Sequence, residues 1–245
     1  MADLTLLGKA FERFRKRRQS TPMTHHPSPL QRILTLLSLI ALASAAGTGT
    51  AMAKNRELIK NGSFSSGLAN WTTLASDGGV VGSFTAAAVG AAAPRSGEAT
   101  PLNPAGGTLY ALADQNNRSY QVLAQSFRVP RTAKRVILTY QMFAHSQAAT
   151  VLNPALFDIV GVNQQARVDL LKGASPLTAT SGFARVLYNR GADAVASPTP
   201  PPFLSYRFNL SRNVKAGRTY KIRFLAAATE EVMNVGVDNV SVKAR

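Results

Sequence analysis

Apolar and polar residues alternate with a period of two along much of this 245-residue chain. Only a strand shows opposite faces to its surroundings at that spacing. In the run from Arg135 to Phe143, Val136, Leu138, Tyr140 and Met142 form one apolar face. Tyr220, Ile222 and Phe224 alternate with Lys221 and Arg223, and Tyr206, Phe208 and Leu210 alternate with Arg207 and Asn209. The pattern predicts half-buried antiparallel strands, apolar inward and polar outward. Further strands are predicted over 57–59, 82–87, 108–113, 120–129, 157–162, 167–171, 183–188 and 236–242. Turn chemistry separates them at Asp77-Gly78-Gly79, Val129-Pro130-Arg131 and Lys215-Ala216-Gly217-Arg218. About ten short strands with such punctuation predict an all-β fold, a two-sheet antiparallel β-sandwich. The Ala/Gly/Pro-rich stretch 86–107 and the proline run 197–202 read as insertions at its rim, since proline cannot donate to a ladder.

The N-terminus obeys a different logic. No charge occurs between Ile33 and Ala53, basic residues from Lys9 to Arg32 precede that run, and Ala51-Met52-Ala53 offers small residues to a signal peptidase. These features predict an N-terminal signal helix over 1–53, cleaved after Ala53, with Met23 as an alternative initiator, and a single β-sandwich domain over 54–245. An uncleaved anchor is the other reading, because the uncharged stretch is long enough to span a bilayer, although Gly47-Thr48-Gly49-Thr50 is poor helix material. Membrane contact is expected only through this segment, and the destination is secretion, the periplasm or the cell surface.

Residues 1–53 hold seven basic and two acidic residues, so 21 Lys+Arg stand against 10 Asp+Glu in the remainder. Such an excess suits anionic partners. The alternative is cations spread over a solvated β-surface, as the spacing of Arg118, Arg128, Arg167, Arg185, Arg207 and Arg223 suggests. The chain has no cysteine, which excludes thiol nucleophiles, thiolate metal sites and disulfide redox chemistry. The one histidine after residue 53 is His145, at a strand end, with no cluster to join. None of the carboxylates falls in a catalytic motif, so no enzyme is expected and a glycoside-hydrolase role is the least favoured reading. Nucleic acid is not expected as a partner: Arg128, Arg131, Lys134 and Arg135 cluster, but they straddle a proline turn without interleaved aromatics.

Two motifs bracket the sandwich. Asn61-Gly62-Ser63-Phe64, with Gly67-Leu68 and Trp71, opens it, and Val237-Asp238-Asn239-Val240-Ser241-Val242 closes it; Gly107 to Leu112, Gln125 to Pro130 and Val136 to Phe143 follow in order between them. This series resembles the secreted jelly-roll modules of the galactose-binding-like and carbohydrate-binding superfamily. The resemblance covers residues 55–245. It implies a jelly-roll sandwich that binds carbohydrate at the cell envelope or in extracellular matrix; a structural or adhesive envelope protein gripping anionic polysaccharide by charge is the alternative. It also implies that Asp238 can serve a structural Ca²⁺, though Ser63, Ser65 and Ser66 stand where acids are frequent in the family. Trp71 is expected in the core. For stacking on a sugar's C–H face, Tyr110, Tyr120 and Tyr188 are the candidates, with Asn116, Asn117 and Arg118 as polar partners.

Overall fold

The computed structural model describes residues 55–76, 82–102, 107–149, 157, 159–190, 200 and 202–245, all within the unit Ala51–Arg245. The expected signal helix and the proline run lie outside the described residues, apart from Pro200 and Pro202. Among the described residues eleven strands occur in chain order: β1 (Arg56–Glu57), β2 (Thr72–Ala75), β3 (Thr85–Ala88), β4 (Leu109–Gln115), β5 (Ser119–Arg128), β6 (Val136–Ser146), β7 (Gln165–Lys172), β8 (Arg185–Arg190), β9 (Leu204–Asn209), β10 (Thr219–Ala228) and β11 (Met233–Ala244). They form two sheets, one ordered β3-β4-β11-β6-β9 with β1 added to β11, the other β2-β5-β10-β7-β8. Every pairing is antiparallel. The expected all-β sandwich is therefore present, with no α-helix among the described residues.

The alternation explains the core. Val136, Leu138, Tyr140 and Met142 from β6 meet Ile222, Phe224 and Ala226 from β10 in one continuous cluster, with Leu123, Val168 and Val237. Trp71 joins them as expected, 8 % exposed, its ring centroid 5.2 Å from that of Phe64, and its indole Nε1 donates to the carbonyl of Asn61.

The two bracketing motifs meet. Asn61 adopts φ 50° and stitches the opening loop: its Nδ2 donates to the carbonyls of Gly67 and Ala69, and its Oδ1 accepts from the N–H of Ser66. Val240 N–H donates to Gly62 O at 2.9 Å, where a Cβ on residue 62 would sit 1.8 Å from Val240 O. Only glycine permits that approach. The register of β11 on β6 shifts between Asp238 and Ser241, so the closing motif is a bulge shaped to receive the opening loop.

The second sheet is covered on both faces. On its outer side Val122 and Leu225 pack with Leu74, Tyr120, Phe157, Leu177 and Phe183. Beside them Asp169 accepts from Arg167 Nε at 2.8 Å and from Arg223 Nη2 at 2.6 Å, with Asp169 and Arg223 fully enclosed. The second guanidinium nitrogen of Arg223 donates to the carbonyls of Leu177 and Ala179, and Phe183 lies against both guanidinium groups. An inner strand position with a cation facing outward predicts solvent. Instead the segment between β7 and β8 folds over the sheet and is tied there by that cation.

Two expectations are corrected. Phe157 and residues 159–162 form no strand; Phe157 packs edge-on against Tyr120 at 4.6 Å, and Val160 is 85 % exposed. Residues 72–75, not expected as a strand, form the edge strand β2.

Candidate functional site

The predicted binding residues divide between three places. Tyr110 points to the outer side of the first sheet and is fully buried against Phe143 and Phe203, so it is corrected from a stacking residue to a core residue. Tyr188 is half-buried on β8, where its ring meets Tyr206 of the other sheet at 5.5 Å. It too belongs to the inter-sheet packing. Asn116, Asn117 and Arg118 are exposed in the β4–β5 hairpin, with Tyr120 half-buried on the flanking strand. Asn116 Nδ2 donates to the carbonyl of Arg95, and Arg118 Nη1 to those of Ile159 and Val160. These four stay together, but Tyr110 and Tyr188 are not brought to them.

Asp238 is buried at the bulge. Its Oδ1 accepts from Asn239 N–H at 2.6 Å and its Oδ2 from Asn239 Nδ2, whose amide also donates to Gln141 Oε1. Burial pushes the carboxyl up to about 6, against the lowering effect of the Asn239 N–H. A calcium ion takes six to eight oxygens, usually several from carboxylates. No group of three or more His, Cys, Asp or Glu occurs among the described residues, and the nearby loop offers serines. A single buried carboxylate, both of whose oxygens already accept from Asn239, is a poor fit for that ion, and no role is derived through calcium. His145, expected at a strand end, is the next-to-last residue of β6 and is buried.

The residues that converge on open space are cations. A cleft of about 880 Å³ opens where β5 and β7 end and β10 begins. Arg128 comes from β5, Lys172 from β7, and Arg212, Lys215 and Arg218 from the loop joining β9 to β10. Phe183 and Ala184 form one wall, and no acidic residue lines it. All five cations are exposed and none makes an ion pair with a described residue.

Local structure fixes their positions. Gly217, at φ 76°, turns the loop so that its N–H donates to Val129 O, while Val129 N–H donates to Arg218 O. Lys215 N–H donates to the Tyr220 hydroxyl, and Asn213 Oδ1 accepts from Arg185 Nη1. On the far side Lys221 Nζ donates to the carbonyls of Gly173 and Ser175, holding the start of the β7–β8 segment. A concavity of one sign with low-dielectric walls focuses the field and concentrates anions. Sequence spacing makes these five residues look scattered; strand register brings them together.

The acids are used elsewhere. Asp169 is enclosed by two arginines, Asp114 is buried and accepts from the N–H groups of Arg95 and Ser96, and Glu57 accepts from those of Leu58, Ile59 and Val242. Asp77, Asp158 and Asp193 lie outside the described residues.

No family model and no curated protein matches the chain. Among solved structures, it is similar to the K3 cleaved adhesin domain of Lys-gingipain from Porphyromonas gingivalis, at 15% identity and a TM-score of 0.45, covering 78% of this chain and 99% of that one. It is also similar to TmCBM61 in complex with beta-1,4-galactotriose, at 11% and 0.46 with 78% and 99% covered. A Stig cyclase, Fisc from Fischerella, is similar at 15% and 0.45 with 78% and 98% covered. At this degree of similarity neither binding nor catalysis carries over.

Proposed function

We propose that the sandwich is an exported, non-catalytic binding module whose ligand is an anionic polysaccharide seated in the basic cleft. The cleft itself supports this reading: five exposed cations, unpaired with any described acid, converge on one concavity without an acidic lining residue. Three are arginines, whose planar forks match sulfate and carboxylate oxygens in pairs. An N-terminal signal over residues 1–53, as the sequence predicts, would bring such a module to envelope or matrix polymers.

A glycan array probed with the full chain at low and near-molar salt tests it. Binding to sulfated or uronic-acid glycans is expected at low salt and is expected to vanish near 1 M, where the Debye length falls to about 3 Å. Salt-resistant binding to a neutral glycan would overturn the proposal. That outcome would favour a second reading, neutral carbohydrate at the β4–β5 hairpin, supported by the grouping of Asn116, Asn117, Arg118 and Tyr120 there. Loss of neutral binding in Asn117→Ala would then locate it.

A further inference from the structure

A second concavity lies on the outer side of the other sheet. It is a cup of about 250 Å³ lined by Asn55, Arg135, Ile137, Thr139, Arg207, Ser241, Lys243 and Arg245. Adjacent strands place its lining residues side by side: Lys243 opposite Ile137, Ser241 opposite Thr139, and Thr139 opposite Arg207. Arg135 and Arg245 close it, paired by backbone hydrogen bonds in both directions. Four cations therefore face this space. The acid at its edge is Glu57, whose carboxylate accepts from Ser241 Oγ and from three backbone N–H groups.

Cup and cleft sit at the same end of the sandwich, on different sheets. The segment that crosses between them is the β5–β6 turn. It begins with Arg128 in the cleft, continues through Arg131, and reaches Lys134 and then Arg135 in the cup. Arg131 stands over Gly217 at the cleft rim, its Cγ 3.3 Å from where a Cβ on Gly217 would be. Lys134 N–H donates to Arg245 O, which fixes the far end of the turn. Arg131 and Lys134 are exposed. The proline turn that separates these cations in sequence is what carries charge around the edge of the fold.

We infer that cleft, turn and cup form one track for a linear polyanion long enough to pass from one sheet to the other. The inference rests on the anionic-polysaccharide reading of the cleft and adds the ligand's length and course. Packed sheets lie about 10 Å apart, so a monosaccharide or a single sulfate cannot engage both concavities, whereas an oligosaccharide with a charge on most residues can. Single-stranded nucleic acid is disfavoured because such strands stack their bases on exposed aromatics. The cup has no aromatic residue, and in the cleft Tyr220 is buried and Phe183 is engaged by Arg167 and Arg223.

Calorimetric titration of the full chain with a heparin disaccharide and a heparin dodecasaccharide tests the track. Two-site engagement is expected to make the dodecasaccharide bind at least about tenfold tighter than the disaccharide. The cup variant Arg207→Gln/Lys243→Gln and the cleft variant Lys215→Gln/Arg218→Gln replace exposed side chains, and unchanged urea midpoints would show that both remain folded. Each is expected to weaken dodecasaccharide binding by about fivefold or more and to flatten its salt dependence. The cup variant should leave disaccharide binding in the cleft unchanged. Wild-type dodecasaccharide affinity in the cup variant would overturn the track and leave the cleft reading standing. No binding of either fragment to wild type would overturn both. Duplex DNA that displaces the dodecasaccharide, with affinity lowered in both variants, would overturn the glycan assignment and keep the track.

Discussion

At the scale of single residues, the most constrained position is Asp238. Its carboxyl is held at about 6, whereas an unfolded aspartate titrates near 3.9. Between those values the folded chain holds a proton that the unfolded chain has released, so stability falls as pH rises through the window. Above about pH 6 the ionised fold carries a penalty on the order of 2–3 kcal/mol. Asp238→Asn keeps an acceptor for Asn239 N–H and removes the titration. The variant should gain that amount relative to wild type between pH 4 and 7, measured as the difference in urea unfolding free energy. Parallel pH profiles would show an ordinary carboxyl. Neither the burial nor the bond to Asn239 is legible in the motif alone: the sequence marks Asp238 as special, but only the bulge at residues 238–241 shows that it faces a protein interior.

At the scale of elements, the strands with strict alternation were the most readable. β6 and β10 have apolar residues at every second position, and the structure places them at the centre of the core. β2, Thr72-Thr73-Leu74-Ala75, is a short edge strand with two exposed threonines and no apolar face to detect. Phe157 and Ile159 are spaced as on one strand face, but Phe157 covers Tyr120 on the outside of a sheet. Outward-facing Arg223 likewise looks solvated in sequence. It is instead the tie for the β7–β8 segment, which supplies one wall of the cleft. Arg223→Ala leaves Asp169 with one partner and the carbonyls of Leu177 and Ala179 without this donor. Breaking such a buried pair costs about 3–5 kcal/mol. Chemical denaturation should show that loss, and hydrogen exchange should show lowered protection at Ala184, whose N–H bonds Leu170 O. Arg223→Lys is expected not to restore it, because one ammonium cannot serve the carboxylate and both carbonyls in the guanidinium's planar arrangement.

At the scale of the whole domain, charge is sorted by the fold. The ends of β5, β7 and β11 and the starts of β6 and β10 carry the cleft, the turn and the cup. At the opposite end Glu98 accepts from Gln147, Asp114 is the next-to-last residue of β4, and Glu230 and Glu231 lie in the β10–β11 turn, with Arg95 and Arg118 as exposed counter-charges among the described residues. The candidate site escaped sequence reading for this reason: its cations come from separate strands and loops, and a count of charges is blind to which end of a sandwich each strand finishes on. The sorting has a kinetic consequence. A polyanion near this domain exerts torque as well as attraction, turning the basic end toward itself before contact, so a larger share of encounters begins in a productive pose. Stopped-flow measurements should therefore show the association rate falling steeply as salt rises. An association rate indifferent to salt would mean that the domain meets its ligand at random orientation and that the asymmetry acts only after contact.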